Sequence, residues 1–212
     1  MKPHHKIFLT SLVMMIVVGC GHSQTKYTEG KIVYSIINLD SSGNNVNDTL
    51  FTNETEVFFK GNKKRINFNN QDLYRYSFII DDKTHTLISL LNRRGHKSAK
   101  ILNLDSLLKT NDKLDKRHFK YTDESKIING YKCFKAIMTM DGETSKCIIY
   151  YTKEIDIPDY FQFALGFIGF KGTIIEYYAD EKIVKEKVIF KSISSEKVDD
   201  SNFVIPKDYE VK

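Results

Sequence analysis

The residues with the most chemistry to offer in this chain are three cysteines and six histidines. A thiolate can attack an electrophile or bind a soft metal, and an imidazole can move a proton near neutral pH or ligate zinc. Both uses need partners at set spacings. His22, His85, His96 and His118 fall in no H-x-x-x-H or H-E-x-x-H pattern, and none stands beside a cysteine at ligand spacing. No metal site and no cofactor are therefore expected. Cys133 and Cys147 have no histidine placed by sequence to activate them. G-x-S-x-G, P-loop and dinucleotide-binding glycine patterns are missing from the sequence. The paired acids Asp81-Asp82 and Asp199-Asp200 lie at turns. The basic run Arg93-Arg94-Gly95-His96-Lys97 reads first as a solvated turn and second as a contact for phosphate or an anionic head group. These residue types supply no catalytic set, and an enzyme is not expected.

Cys20 stands apart because of what precedes it. Residues 1–20 read MKPHHKIFLTSLVMMIVVGC, with basic Lys2 and Lys6, an apolar run from Ile7 to Val18, then Gly19. That run makes a helix of about 18 Å, against a hydrocarbon core of about 30 Å, so it is too short to span a bilayer and has the layout of a signal peptide. Val17-Val18-Gly19-Cys20 resembles the bacterial lipobox, in which the cysteine is thioether-linked to diacylglycerol and becomes the mature N-terminus. The resemblance implies a removable leader over residues 1–19, lipid attachment at Cys20, and a polar tether over residues 20–29 that leads into one domain over residues 30–212. Some Bacteroidota lipoproteins carry an acidic run after the cysteine that sends them to the cell surface. Here no acid precedes Glu29, which favours an envelope protein anchored in the outer membrane and facing the periplasm.

The net charge of +5 falls to about +3 without Lys2 and Lys6, and it is spread along the chain. Such a balance does not argue for nucleic acid, and it is compatible with weak attraction to anionic lipid. The remainder reads as short runs of period-two alternation separated by Asn, Asp, Gly and Ser, the pattern of antiparallel strands. Strands are expected at Gly30–Asn38, Glu54–Lys60, Lys64–Phe68, Leu73–Asp81, Thr84–Asn92, Lys97–Asn103, Tyr131–Met140, Ser145–Thr152, Thr173–Ala179 and Ile183–Ile193. Gly61-Asn62 and Asp82-Lys83 are read as hairpin turns, Leu39–Asn53 as a long loop, and Asp141–Thr144 as the turn of the clearest hairpin. Leu104–Lys116 has helical spacing, with Asp105 as its candidate cap, and a short helix is expected near Pro158.

A four-residue turn pairs Met140 with Ser145 and sets Cys147 opposite Met138. Cys133 then lies about five residues further along, roughly 16 Å away at about 3.3 Å per residue, whereas a disulfide needs Cα atoms within about 7 Å. Two unbridged, buried thiols are expected.

About ten strands imply a sheet that must curl, close or be covered. Several strands are apolar on both faces, for example Val33 and Ile37 against Ile32, Tyr34 and Ile36. One such face packs the core, and the other is covered by the chain or by a ligand.

Particular segments also resemble a known group. Ile128-Asn129-Gly130-Tyr131-Lys132-Cys133-Phe134-Lys135-Ala136, Tyr150-Tyr151-Thr152-Lys153-Glu154-Ile155 and the ending Phe203-Val204-Ile205-Pro206-Lys207-Asp208-Tyr209 are similar to motifs of Bacteroidota GLPGLI-type and related lipoproteins. Phe163-Ala164-Leu165-Gly166 departs from the motif that names that family. The resemblance implies a mainly β fold of the LolA/LppX kind. That is a large curved antiparallel sheet forming an incomplete β-barrel, with short helices covering its concave face. It also implies a function in binding lipid, lipoprotein acyl chains or another apolar ligand, with Tyr74, Tyr76, Phe78, Met138, Met140, Phe163 and Phe167 as candidate wall residues. The alternative is a non-enzymatic structural or docking protein of the envelope whose cavity is filled by its own side chains.

Overall fold

The computed structural model describes residues 24–40, 42, 54–69, 74–110, 116–142, 146–158, 167, 169–180 and 185–212. Alternating side chains make strands almost everywhere in these stretches. The elements are β1 (Thr25–Lys26), β2 (Glu29–Leu39), β3 (Glu54–Lys60), β4 (Lys63–Asn69), β5 (Tyr74–Asp81), β6 (Thr86–Arg93), β7 (His96–Asn103) and α1 (Leu104–Thr110). They continue with β8 (Arg117–Ile128), β9 (Tyr131–Met140), β10 (Lys146–Thr152), β11 (Ile155–Asp156), β12 (Thr173–Asp180), β13 (Lys185–Ser194), a 3-10 turn at Asp200–Phe203, and β14 (Glu210–Val211). Among the described residues no helix is long and apolar enough to cross a membrane.

Twelve strands form one sheet in the order β14-β7-β6-β5-β4-β3-β2-β13-β12-β10-β9-β8, while β1 and β11 form a separate parallel pair. Every neighbouring pair in the large sheet is antiparallel except β14 with β7. The sheet does not close: β8 ends one side, and β14 ends the other after two paired positions on β7. The fold is therefore mainly β, an incomplete barrel with one α-helix among the described residues; the strand pattern points to the β class and the resemblance to the incomplete barrel. That helix follows β7 in the chain and lies beside it. Leu104 is buried, and Leu107 and Leu108 pack against the main core.

The registers define two ends. At the lower end lie the turns Gly61-Asn62, Asp82–His85 and Asn129-Gly130; the Gly61 amide donates to the Thr28 carbonyl at 2.8 Å and the Asp82 amide to the Asn62 carbonyl at 3.0 Å. At the upper end lie Arg94-Gly95 and the β9–β10 turn. The strands also define two faces. Val57, Phe59, Ile66, Ile80 and Leu87 belong to the main core on the inner face. Ile79, Leu90 and Ala99 point the other way and form a second cluster with Val198 and Phe203 from the chain's C-terminal segment. Lys60 Nζ donates to the Val198 carbonyl at 3.2 Å, and Arg65 Nη1 to the Asn202 carbonyl at 3.3 Å, which ties that segment down. Over β3–β7, then, the second apolar face is covered by the chain itself.

Three expectations need correction. The turn after β5 spans Asp82–His85, and β6 starts at Thr86 rather than Thr84; Asp81 Oδ1 accepts from the Lys83 amide at 3.0 Å, and His85 takes φ 50°, which makes a four-residue turn. The helix is described only to Thr110, and residues 111–115 lie outside the described ones. Its cap is Asn103, whose Oδ1 accepts from the Ser106 amide at 2.9 Å, while Asp105 sits 3.0 Å from His85 Nδ1. Finally, β8 is a twelve-residue strand that the sequence pattern does not reveal, because the polar run Thr122–Lys126 breaks its alternation. The register shifts between Tyr121 and Ser125 at that run. Most of the Pro158–Phe170 segment, and the helix expected there, lie outside the described residues.

Candidate binding face

The inner face is continuous from β7 to β8, and its two halves differ. Toward the lower end it is filled. Phe170 packs on Phe119, Tyr121 and Tyr151 with ring centroids 5.2, 5.4 and 5.3 Å away, and its Lys171 neighbour donates its amide to the Tyr121 hydroxyl at 2.9 Å. Phe167 meets Tyr177 edge-on at 4.9 Å and is 3% exposed. Ile155 and Ile157 complete this plug. Tyr34, fully buried, donates to the Ile174 carbonyl at 3.1 Å and meets Phe190 edge-on at 5.8 Å. Apart from Tyr121 and Phe119 on the edge strand β8, the first exposed and the second half-buried, these rings and aliphatic groups give the lower half the packing of an ordinary core.

Toward the upper end the same face carries apolar side chains that are only half-buried: Ile36, Phe68, Phe78 and Met138. Tyr76 and Phe78 pack edge-to-face at 4.6 Å, and Phe68 adds a third ring at 6.2 Å from Tyr76 and 6.1 Å from Phe78. The register explains this cluster, since Phe68 stands opposite Tyr76 and Ile66 opposite Phe78. Ser89 Oγ donates to the Tyr76 hydroxyl at 3.2 Å, so the phenol has a polar partner on an otherwise apolar wall. On the far side, Met138 lies between Cys147 and Phe119, and Met140 stands opposite Arg117. Six strands separate β5 from β9.

The sequence-derived wall thus resolves into parts. Tyr76 and Phe78 come together, and Met138 and Met140 share the opposite flank. Phe167 belongs to the plug. Tyr74 lies on β5 opposite Arg93, and its side chain is outside the described residues, as are Phe163 and Cys20 altogether. Phe68 and Phe119 were missed by the sequence reading. Phe68 alternates with Ile66 along the expected strand and could have been found there, whereas Phe119 was hidden with β8.

Polar groups punctuate this face. Tyr177 donates to Glu186 Oε1 at 2.8 Å. Burial, then the Glu186 charge, push the phenol well above its usual range. Near the lower end the Lys64 ammonium, 1% exposed, pairs with Asp82. Burial raises the Asp82 carboxyl, and the Lys64 hydrogen bond pulls it part of the way back. Cys147 stands opposite Met138 and Cys133 opposite Thr152, and the two are unbridged, buried thiols. Among the described residues no three His, Cys, Asp or Glu side chains gather as a metal site would require.

Two clefts open at the lower end, outside the apolar wall. One, of about 360 Å³, is lined by Gln24, Lys153, Asp156 and Lys171 among others. The other, of about 310 Å³, includes Lys26, Tyr27, Asn62 and Asp156. Both mix charged groups with apolar ones, Ile155 and Ile157 in the first and Tyr27 and Ile157 in the second.

No family model matches this chain, the GLPGLI family included, and no curated protein matches it. Its fold is similar to that of PNGF-II. The P21 crystal form gives a TM-score of 0.53 at 15% identity over 87% of this chain and 31% of that one, and the C2 form 0.52 at 17% over 86% and 30%. This chain spans about a third of the length of PNGF-II. LprF from Mycobacterium bovis matches with a TM-score of 0.36 at 8% identity over 80% of this chain and 88% of that one, too low a score to define a common fold. At such identities the likeness to PNGF-II is one of fold.

Proposed function

We propose that this protein is a lipid-anchored envelope protein of the GLPGLI-like kind, and that the upper half of its inner face holds an apolar ligand, a lipid or the acyl chain of a lipoprotein. One observation carries the reading. A single face is packed by the chain's own rings toward one end and lined by half-buried Phe68, Phe78 and Met138 toward the other. Apolar surface left in contact with water costs about 25 cal/mol per Å², and a contiguous patch of it marks a binding surface more often than a structural accident. An extended hydrocarbon chain satisfies such a wall without needing hydrogen bonds. Lipid anchorage rests on the leader and Cys20.

A second reading draws on the plug. Phe167 and Phe170 show that this chain fills its own concavity in part, which suits a docking protein whose exposed rim meets another protein.

Titration with a fluorescent polyene fatty acid separates the two. Saturable binding is expected, weakened about tenfold or more (about 1.4 kcal/mol) by Phe78→Asp or Met138→Asp. Ile101→Asp, at an exposed outer-face position, should leave it unchanged. A folded wild-type protein that shows no saturable binding would turn the assignment to the docking reading.

A further inference from the structure

The lower end is where the chain enters the domain. The Thr25 amide donates to the Glu154 carbonyl at 2.8 Å, and the Tyr27 amide to the Asp156 carbonyl at 2.9 Å, which fixes β1 beside β11. Gly61 then bonds to Thr28 at the same end. Five chain steps lead from Cys20 to Thr25, and at about 3.3–3.6 Å each they reach at most about 18 Å. The apolar wall lies at the other end. The eight-residue strands β5 and β6 run about 23 Å from the Asp82–His85 turn to the upper end, at about 3.3 Å per residue, and somewhat less along the barrel axis because strands of a curled sheet tilt.

The geometry points to a fixed orientation: the lower end, with β1 and β11, sits on the head groups of the bilayer that holds the anchor, and the apolar mouth points away from it. This rests on acylation of Cys20, as proposed above. With the mouth turned down onto its own bilayer, β1 would stand about 16–19 Å above the surface once strand tilt is allowed for, and the tether of at most about 18 Å would have to be fully extended. The surface that meets the head groups is polar. Lys26, Lys153 and Lys171 edge its two clefts against Asp156, a composition that tolerates anionic lipid. It follows that the ligand enters from outside the anchoring leaflet.

The test uses the full-length acylated chain in phosphatidylcholine vesicles containing lipids with nitroxide-labelled head groups. A fluorophore is placed either by Lys83→Cys in a lower turn or by Arg94→Cys in an upper one, both exposed positions, while Cys133 and Cys147 are buried. Flotation with the vesicles is scored first. The expected result is flotation, with quenching several-fold stronger at position 83 than at position 94. Flotation with equal or stronger quenching at position 94 would overturn the orientation and leave the anchor standing. A chain that does not float would overturn the anchor, and the orientation with it.

Discussion

The Tyr177 hydroxyl donates to Glu186 Oε1 at 2.8 Å from a side chain that is itself 5% exposed and set edge-on against Phe167. Burial and the neighbouring carboxylate keep the phenol protonated well above its ordinary range, so it serves as a donor throughout the physiological range. The bond fixes the junction between the plug and the open half of the inner face. Tyr177→Phe keeps the ring and deletes the donor. Hydrogen bonds to charged groups contribute about 1.5–3 kcal/mol, and half-burial of Glu186 places the expected loss near the lower bound. Urea unfolding should show a lower midpoint with an unchanged slope. The double variant Tyr177→Phe, Glu186→Gln should lose less than the sum of the single variants.

The two internal thiols should stay reduced and slow to react. Burial pushes the Cys133 thiol up to about 11, so little thiolate exists at neutral pH. Cys147, opposite Met138, and Cys133, opposite Thr152, are too far apart along the hairpin to bridge without a change of register. Iodoacetamide should label neither within minutes in native buffer and both in denaturant, and a mild oxidant should cause no two-dalton loss in the intact mass. Rapid native labelling of Cys133 would contradict the packing described.

Gly172 and Gly61 both have positive φ, and alanine should affect them unequally. At Gly172, φ +105°, a Cβ would come 2.4 Å from Tyr151 Cδ2 and 3.2 Å from the Thr152 carbonyl. Tyr151 is held by Tyr121, Phe134 and Phe170 and has little room to give way. At Gly61, φ +55°, no heavy atom lies within 4 Å of a Cβ. Gly61→Ala should cost about 1 kcal/mol for the left-handed backbone alone, and Gly172→Ala about 3 kcal/mol or more once overpacking is added. Thermal unfolding of the two variants reads the difference.

Anchorage is tested at Cys20. In a host that processes lipoproteins, the wild-type chain should incorporate labelled fatty acid and sediment with membranes, and Cys20→Ser should do neither. A single acyl chain gives only marginal membrane binding, so the multi-chain anchor expected on a lipobox cysteine should survive a salt wash. Release of the wild type by salt would point to a peripheral protein.

Local signals foretold much of this fold, and their failures have physical causes. Gly61-Asn62 marked its hairpin because both residues tolerate positive φ, and the β9–β10 register, Cys147 opposite Met138 included, followed from turn length alone. The strand β8 was lost because Asp123 and Glu124 sit at a register shift on the sheet's edge, where no second face demands apolar residues. Phe167, a candidate wall residue by sequence, packs edge-on against Tyr177, ten residues further on and on another element, a contact no local pattern could foretell. Phe68 joins Tyr76 only because β4 and β5 pair in one register out of several that the sequence permits. Strand identity is local, whereas the division of one face into a packed half and an open half depends on which loops fold back over it.

The central claim is that the open half holds an apolar molecule, and native mass spectrometry of the full-length protein, taken gently from its own membrane, tests it most directly. The account predicts a second, releasable mass in the range of a fatty acid or lipid, in addition to the covalent anchor, and its loss in Phe78→Asp while the fold is retained. A wild-type spectrum showing only the anchored chain, from protein that circular dichroism confirms is folded, would contradict it.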